Sequence, residues 1–264
     1  MELSISVDDL RMELRPALDV VRQIGVHFVE VGAMHGPISP EELSRSGERH
    51  FSRHLADIGL NLHCLRGPTG GAGYADRSAG DRRLASLKRI INLASSLRVS
   101  TVSTTVGSVT TDADGREKDR LLEAIVQMAD MADRCGVTVA IDTAGISAAD
   151  LRSMLQTVNC PNLTACCDSG GMLLRGENPH RVADVLAGRI RIARARDAVA
   201  GDAGAPGHET APGEGQLDPA AFLAALHEAG ARGPLILSRT TGDQRIHDIA
   251  LAKRRFESLL CAEG

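Results

Sequence analysis

The sequence predicts a single (β/α)8 TIM barrel spanning residues 1–264. Three observations carry that expectation. The length of 264 residues sits close to the ~250 that such a barrel needs. Eight short apolar runs alternate with eight stretches of helical periodicity, a pattern that argues a parallel sheet with helices outside it. Two successive runs also end in charged groups, Cys166-Cys167-Asp168 and Arg194-Ala195-Arg196-Asp197. In parallel α/β proteins the C-terminal strand ends are where ligands bind.

The elements follow in order. Leu3 to Val7 reads as a strand, and Leu10 to Ile24 as a helix with Leu14, Leu18, Val21 and Ile24 at helical spacing. Val26 to Val31 is the second strand and places Glu30 near its end. Ser39-Pro40-Glu41-Glu42 supplies an N-cap, a proline at N1 and a glutamate at N3, predicting a helix that runs to Ile58. Leu60 to Leu65 is the third strand; it holds His63 and is followed by Arg66. Arg66 to Ser78 is rich in glycine and contains Tyr74, the single tyrosine. It is long for a turn and lacks the GK[ST] of a phosphate loop, so it reads as a functional loop in which Tyr74 either closes over a ligand or packs on the rim.

Helix Asp81 to Leu97, strand Val99 to Val106 and helix Gly115 to Cys135 come next. Strand Val137 to Ile141 ends on Asp142, and Ser147 caps a helix running to Val158. Strand Leu163 to Cys167 delivers Asp168, a glycine-rich turn follows, and a helix opens at Asn178-Pro179. Strand Ile190 to Arg196 precedes a loop, Gly201 to Gly215, that carries His208. Asp218 with Pro219 starts the next helix, which ends at Gly230; Pro234 to Leu237 closes on Ser238-Arg239, and a helix from about Asp243 to Leu260 ends the series.

Composition narrows the function classes. Net charge is −4, which opposes a nucleic-acid partner, since such proteins show a basic face. The N-terminus lacks a signal peptide's basic and apolar regions. No apolar run approaches the ~18 residues of a membrane span. Six cysteines without CxxC or zinc spacing read as small hydrophobes in a reducing compartment, so a cytoplasmic location is expected. With 2% aromatics and no tryptophan, the core is aliphatic.

Five segments together resemble one family. Leu163-Thr-Ala-Cys-Cys-Asp-Ser-Gly-Gly-Met-Leu-Leu-Arg-Gly-Glu-Asn-Pro is similar to the "nlDtgHlllagedp" stretch of the xylose-isomerase-like barrels. Those are the sugar phosphate isomerase/epimerase and endonuclease IV superfamily. Arg189 to Asp197 resembles their "grivhvHlkD" strand, Gly213-Glu-Gly-Gln-Leu-Asp218 their "GeGdvD" loop, Gly233 to Ser238 their "GplvlE" strand, and Gly25 to Gly32 their "GydgvElg" strand. The resemblance covers nearly the whole chain.

It implies a divalent metal, Mn, Mg or Zn, on four residues: a Glu ending strand five, an Asp ending strand six, a His on strand seven and a Glu ending strand eight. Here those positions hold Asp142, Asp168, Arg194 and Ser238, and the family's further His is Gly171. An arginine cannot ligate a metal. No cofactor is therefore expected; if a metal does bind, Asp142 and Asp168 are its ligands. The resemblance makes Asp142 and Asp168 the catalytic candidates, and Glu30, His63, Arg66, Arg194, Arg196, Ser238 and Arg239 the candidates for substrate binding. Arg196 stands at the family's Lys. Each has a plainer reading: Asp142 and Asp168 as loop caps, the arginines as an ion-pair network filling the mouth, His63 and Glu30 as structural polar groups, His208 as a solvated loop residue.

Arg194 stands at the lost histidine's position, so its guanidinium is expected to replace the cation, bridging Asp168 with Asp142 as second partner. Arg66, Arg194, Arg196 and Arg239 all lie at or just after strand ends, so an anionic or polyol ligand is expected there. A homo-oligomer stays open. Three functions remain in view: a sugar, sugar phosphate or sugar acid isomerase or epimerase with an altered, metal-free site; a metal-independent lyase or dehydratase on an anionic hydroxylated substrate; and a catalytically silent barrel that binds a small anion or a partner.

Overall fold

The structure, a computed structural model, describes residues 1–70, 73–107, 115–202 and 205–262. Parts of two predicted loops, residues 71–72 and 203–204, lie outside the described residues. In chain order the elements are β1 (Leu3–Ser6), α1 (Leu14–Ile24), β2 (Phe28–Gly32), α2 (Arg45–Asp57), β3 (Asn61–Arg66), α3 (Gly80–Leu97), β4 (Thr101–Thr105), α4 (Arg116–Cys135), β5 (Thr138–Asp142), α5 (Ala148–Val158), β6 (Leu163–Asp168), α6 (Ser169–Leu174), α7 (Val182–Leu186), β7 (Ile190–Ala195), β8 (Ala198–Val199), β9 (His208–Glu209), α8 (Pro219–Glu228), β10 (Leu235–Leu237) and α9 (Arg245–Ala262). Short 3-10 turns stand at Val7–Leu10 and Pro179–Arg181.

Eight strands close into a barrel in the order β1-β10-β7-β6-β5-β4-β3-β2. The registered pairs are parallel, with Leu3 opposite Leu235, Ala195 opposite Leu237 and Thr105 opposite Asp142. The remaining two strands, β8 and β9, form a small antiparallel hairpin in which Ala198 faces Glu209 and Val199 faces His208. By their internal contacts the residues form two compact units, one of 1–30, 58–61 and 166–264, the other of 31–57 and 62–165.

In the first unit, Ile5, Leu18, Val21, Phe222, Leu226, Ile236 and Leu237 are buried, with α1 turning Ala17, Leu18 and Val21 inward. In the second unit, Leu87, Ile90, Ile91, Leu121, Ile125 and Met128 do the same from α3 and α4. Cys166 and Cys167 are both fully buried although they point to opposite faces. That is the signature of a strand covered on both sides. Among the described residues, no helix is long and apolar enough to cross a membrane.

Four local expectations change. The first helix begins at Leu14, because Val7–Leu10 forms a 3-10 turn that ends on Arg11 at φ 52°. The helix placed at Ser39 begins at Arg45 instead. The Ser39 carbonyl is spent on the turn N–H groups of Glu42 and Leu43, and the Ser44 hydroxyl accepts the Gly47 N–H as the working cap. The glycine-rich turn after Asp168 is a helical turn, α6, because Asp168 itself caps it by accepting the Gly171 N–H at 3.0 Å. The helix opening at Asn178-Pro179 starts as a 3-10 turn before α7. The caps at Ser147 and Asp218 stand where predicted: Ser147 accepts from Asp150, and Asp218 from Ala220 and Ala221.

Candidate active site

The charged groups gather at the C-terminal ends of β2, β6, β7 and β10. Arg194 lies on β7 with its side chain 1% exposed, and Glu30 on β2 with its side chain fully buried. The two form a fork: Nη1 donates to Oε2 at 2.8 Å and Nη2 to Oε1 at 3.0 Å. Arg196, two residues on and so of the same parity, makes a second fork. Its Nε donates to Asp168 Oδ1 at 3.0 Å and its Nη2 to Oδ2 at 2.7 Å. The bidentate grip on Asp168 is therefore that of Arg196. Arg194, expected in that role, is forked onto Glu30 and acts on Asp168 through its charge.

Asp168 is positioned from three sides. It ends β6, it caps α6, and Arg196 lies directly over that short helix. A Cβ on Gly170 would fall 2.7 Å from the Arg196 Cβ, so a glycine is required for the arginine to lie there. Ser169 fixes the same strand end, accepting the Arg196 N–H at 3.0 Å and donating to the Arg196 carbonyl at 2.7 Å. Burial opposes ionisation of Asp168, but the charge and hydrogen bonds of Arg196, the charge of Arg194 and the Gly171 N–H outweigh it. They hold the carboxyl below the usual carboxylate range.

The network continues into residues the sequence did not single out. Glu209, on β9, is 2% exposed at its side chain, accepts from Arg196 Nη1 at 3.1 Å, the Thr240 N–H at 2.8 Å and the Thr240 hydroxyl, and forms an ion pair with Arg239 Nη1 at 3.3 Å. Arg239 also donates through Nε to Asp248 at 2.9 Å. Ser238, expected to face substrate, is 7% exposed and donates its hydroxyl to the Asp9 carboxylate. Asp9 could have been suspected, since it lies just past the first strand. Glu209 could not, because only the hairpin brings it there.

Asp197 explains the GEGQLD loop. Its two oxygens accept four backbone N–H groups: Ala198 at 2.9 Å and Leu217 at 2.9 Å on one, Gly213 at 2.7 Å and Gly215 at 3.1 Å on the other. A Cβ on Gly215 would sit 2.2 Å from the Asp197 carboxylate, which excludes any other residue.

Asp142, His63, Arg66 and Tyr74 belong to the second unit. Asp142 ends β5, is 4% exposed and accepts the Ala144 N–H at 2.7 Å, the bond of a loop cap. His63 is half-buried within β3, and Arg66 ends that strand, its carbonyl accepting the Ala33 N–H at 2.9 Å. Tyr74 is buried. Its hydroxyl meets Thr104 at 2.7 Å, the Arg83 guanidinium lies 5.0 Å from its ring centroid, and burial pushes its pKa up to about 12. It is a packing residue. In the first unit, His208 is exposed on β9.

Among the described residues, no group of three or more His, Cys, Asp and Glu side chains is placed to hold a metal ion.

Comparison with known proteins follows from this fold. Residues 18–259 match the family model described as xylose isomerase-like TIM barrel. A xylose isomerase domain protein from Planctomyces limnophilus superposes with a TM-score of 0.82 at 24% identity, over 98% of this chain and 95% of that one. A xylose isomerase domain protein from Alicyclobacillus acidocaldarius gives 0.77 at 24% identity, over 100% of both chains. D-psicose 3-epimerase from Clostridium cellulolyticum H10, in a structure with D-tagatose, gives 0.77 at 14% identity, over 98% of this chain and 99% of that one. At these identities the likeness is one of fold. No curated protein matches the sequence.

Proposed function

The chain belongs to the xylose isomerase-like TIM barrel family, and on that premise we propose that it acts on a sugar or sugar acid as an isomerase or epimerase that works without a bound divalent cation. One observation carries this reading. Glu30 and Asp168, two carboxylates at barrel strand ends, each have both oxygens engaged by an arginine. Asp168 accepts a third bond from Gly171.

This donor set does not fit a divalent metal. A cation entering beside Asp168 would displace the Arg196 fork and face two guanidinium charges at once. The positions that carry the family's His and last Glu are Arg194 and Ser238, the first a cation and the second donating to Asp9. The guanidiniums supply positive charge in the metal's stead. Fixed, planar donors of this kind stabilise an oxyanion developing on a neighbouring carbonyl. Arg196 is the group suited to that, because its side chain is 9% exposed where that of Arg194 is 1%.

Asp168, held ionised by its partners, serves as a fixed counter-charge that aims Arg196. A general base needs a pKa near the operating pH, and Asp168 is displaced the other way. That displacement also favours a second reading, a barrel that binds the same ligands without turnover.

The test joins metal analysis to a substrate panel. Purified protein should hold no stoichiometric Mn, Mg or Zn, and EDTA should leave its melting temperature and any turnover of ketoses, aldoses and sugar acids unchanged. Activity that disappears on chelation and returns with Mn would overturn the metal-free reading. Ligand stabilisation with no turnover across the panel would select the binding role.

A further inference from the structure

We propose that Arg196, Arg239 and Thr240 form a carboxylate-binding subsite which Glu209 fills from within the chain, and which the carboxylate of a hydroxylated acid occupies when ligand binds. This rests on the reading of the strand ends as a ligand site and names the class of ligand.

The receptor has the geometry of a carboxylate site. Glu209 Oε2 receives the Thr240 hydroxyl and Arg196 Nη1, and Oε1 receives the Thr240 N–H, with the Arg239 guanidinium in ion-pair contact at 3.3 Å. Three hydrogen bonds and an adjacent second guanidinium are the donors that a planar group with two oxygens calls for. They are carried by barrel framework, Arg196 just past β7 and Arg239 with Thr240 just past β10, two strands paired in register at Ala195 and Leu237.

The carboxylate they hold is not framework. Glu209 belongs to β9, whose pairing with β8 consists of two residue pairs outside the barrel. A receptor carried on the strand ends is thus filled by a side chain from a hairpin outside the barrel, at the end where ligands bind. Arg239 also lines a surface groove with Glu214, Asp243, His247, Asp248 and Arg255, so Arg239 is reached from solvent on that side.

Charge selects the ligand. Asp168, Glu209 and Asp248 share the two guanidiniums of Arg196 and Arg239, leaving one negative charge in excess. Replacing Glu209 by a ligand carboxylate keeps that balance. A phosphate of about −2 charge would worsen it, and a neutral sugar would leave two buried guanidiniums short of an acceptor. Glu209 acts as an internal competitor: the ligand's apparent affinity is reduced by the fraction of molecules in which the receptor is already filled.

The test removes the competitor. Acetate titrated into Glu209→Ala and Glu209→Gln at constant ionic strength should bind roughly tenfold tighter or better than to wild type, and should raise the melting temperature where chloride does not. D-glucuronate should show the same gain, D-glucose none, and D-glucose 6-phosphate less than D-glucuronate. In the wild-type chain, the Thr240 amide resonance should move with D-glucuronate and not with D-glucose, a readout that stands if neither variant folds. Equal acetate affinity in wild type and both variants, no binding at all, or a stronger response to the phosphate would overturn the proposal. The acetate titration requires neither turnover nor metal, so it fails or succeeds separately from the metal-free isomerase reading.

Discussion

At the scale of single residues, the site is governed by the cost of burying charge. A guanidinium and a carboxylate removed from water each lose several kcal/mol of hydration, which only a good fork with its other valences met can offset. Arg196–Asp168 satisfies that condition, because Asp168 also accepts the Gly171 N–H and Arg196 Nη1 donates to Glu209. Truncating one partner strands the other, so Arg196→Ala should lose about 3–5 kcal/mol of stability in urea denaturation.

The same pair sets an acid limb. The folded pKa of Asp168 lies below the ordinary aspartate value of 3.8. Between the two values the unfolded chain binds more protons, so stability rises with pH there. The contribution is complete above 3.8 and drains away as pH falls through the folded value. Stability measured from pH 5 downward should therefore fall less steeply in Asp168→Asn than in wild type. Identical slopes would show that Asp168 is not held ionised by its partners.

Secondary elements act here as placing devices. The turn Ser169–Leu174 exists because Asp168 caps it, and Arg196 reaches Asp168 because Gly170 offers no side chain. With a Cβ at 2.7 Å from the Arg196 Cβ and 3.3 Å from its Nε, one of the two must shift, and both are anchored. Gly170→Ala should cost about 1–3 kcal/mol, the usual range for overpacking. It should also weaken ligand binding, since it pushes the fork off Asp168. An alanine variant with wild-type stability and ligand affinity would mean that the fork relocates freely. The loop from Asp197 to Leu217 follows the same logic, its course set by one carboxylate that gathers four N–H groups.

For the whole molecule, all six cysteines are free thiols, so no disulfide contributes to stability. Cys64, Cys166 and Cys167 are buried, Cys135 and Cys160 half-buried, and Cys261 exposed. Reaction with a thiol reagent should show one fast site, two slower ones and three that react only on unfolding, and reductant should not move the melting temperature. Rapid labelling of Cys166 or Cys167 in the native protein would contradict the two-sided burial of β6. The aliphatic core follows from composition: of the four phenylalanines, Phe51, Phe222 and Phe256 are buried, and leucine, isoleucine and valine carry the rest.

The barrel was legible in the sequence because its signals are local. Apolar runs of strand length, helical spacing between them, and caps such as Ser147 and Asp218 each act within a few residues, and eight repeats leave few topologies open. Strand ends were legible too, and together with the family resemblance they made Glu30, Asp168, Arg194, Arg196 and Ser238 candidates. Partner choice was not legible. Arg194 and Arg196 have the same chemistry and parity, and which carboxylate each takes depends on separations set by barrel closure. Glu30 lies 164 residues from Arg194 in the chain, and Ser238 lies 229 from Asp9. Glu209 was invisible for the same reason: nothing in a glycine- and proline-rich loop tells how it folds back. Periodicity and capping are properties of neighbours in sequence, whereas the pairing of buried charges is decided only when the fold sets the distances between them.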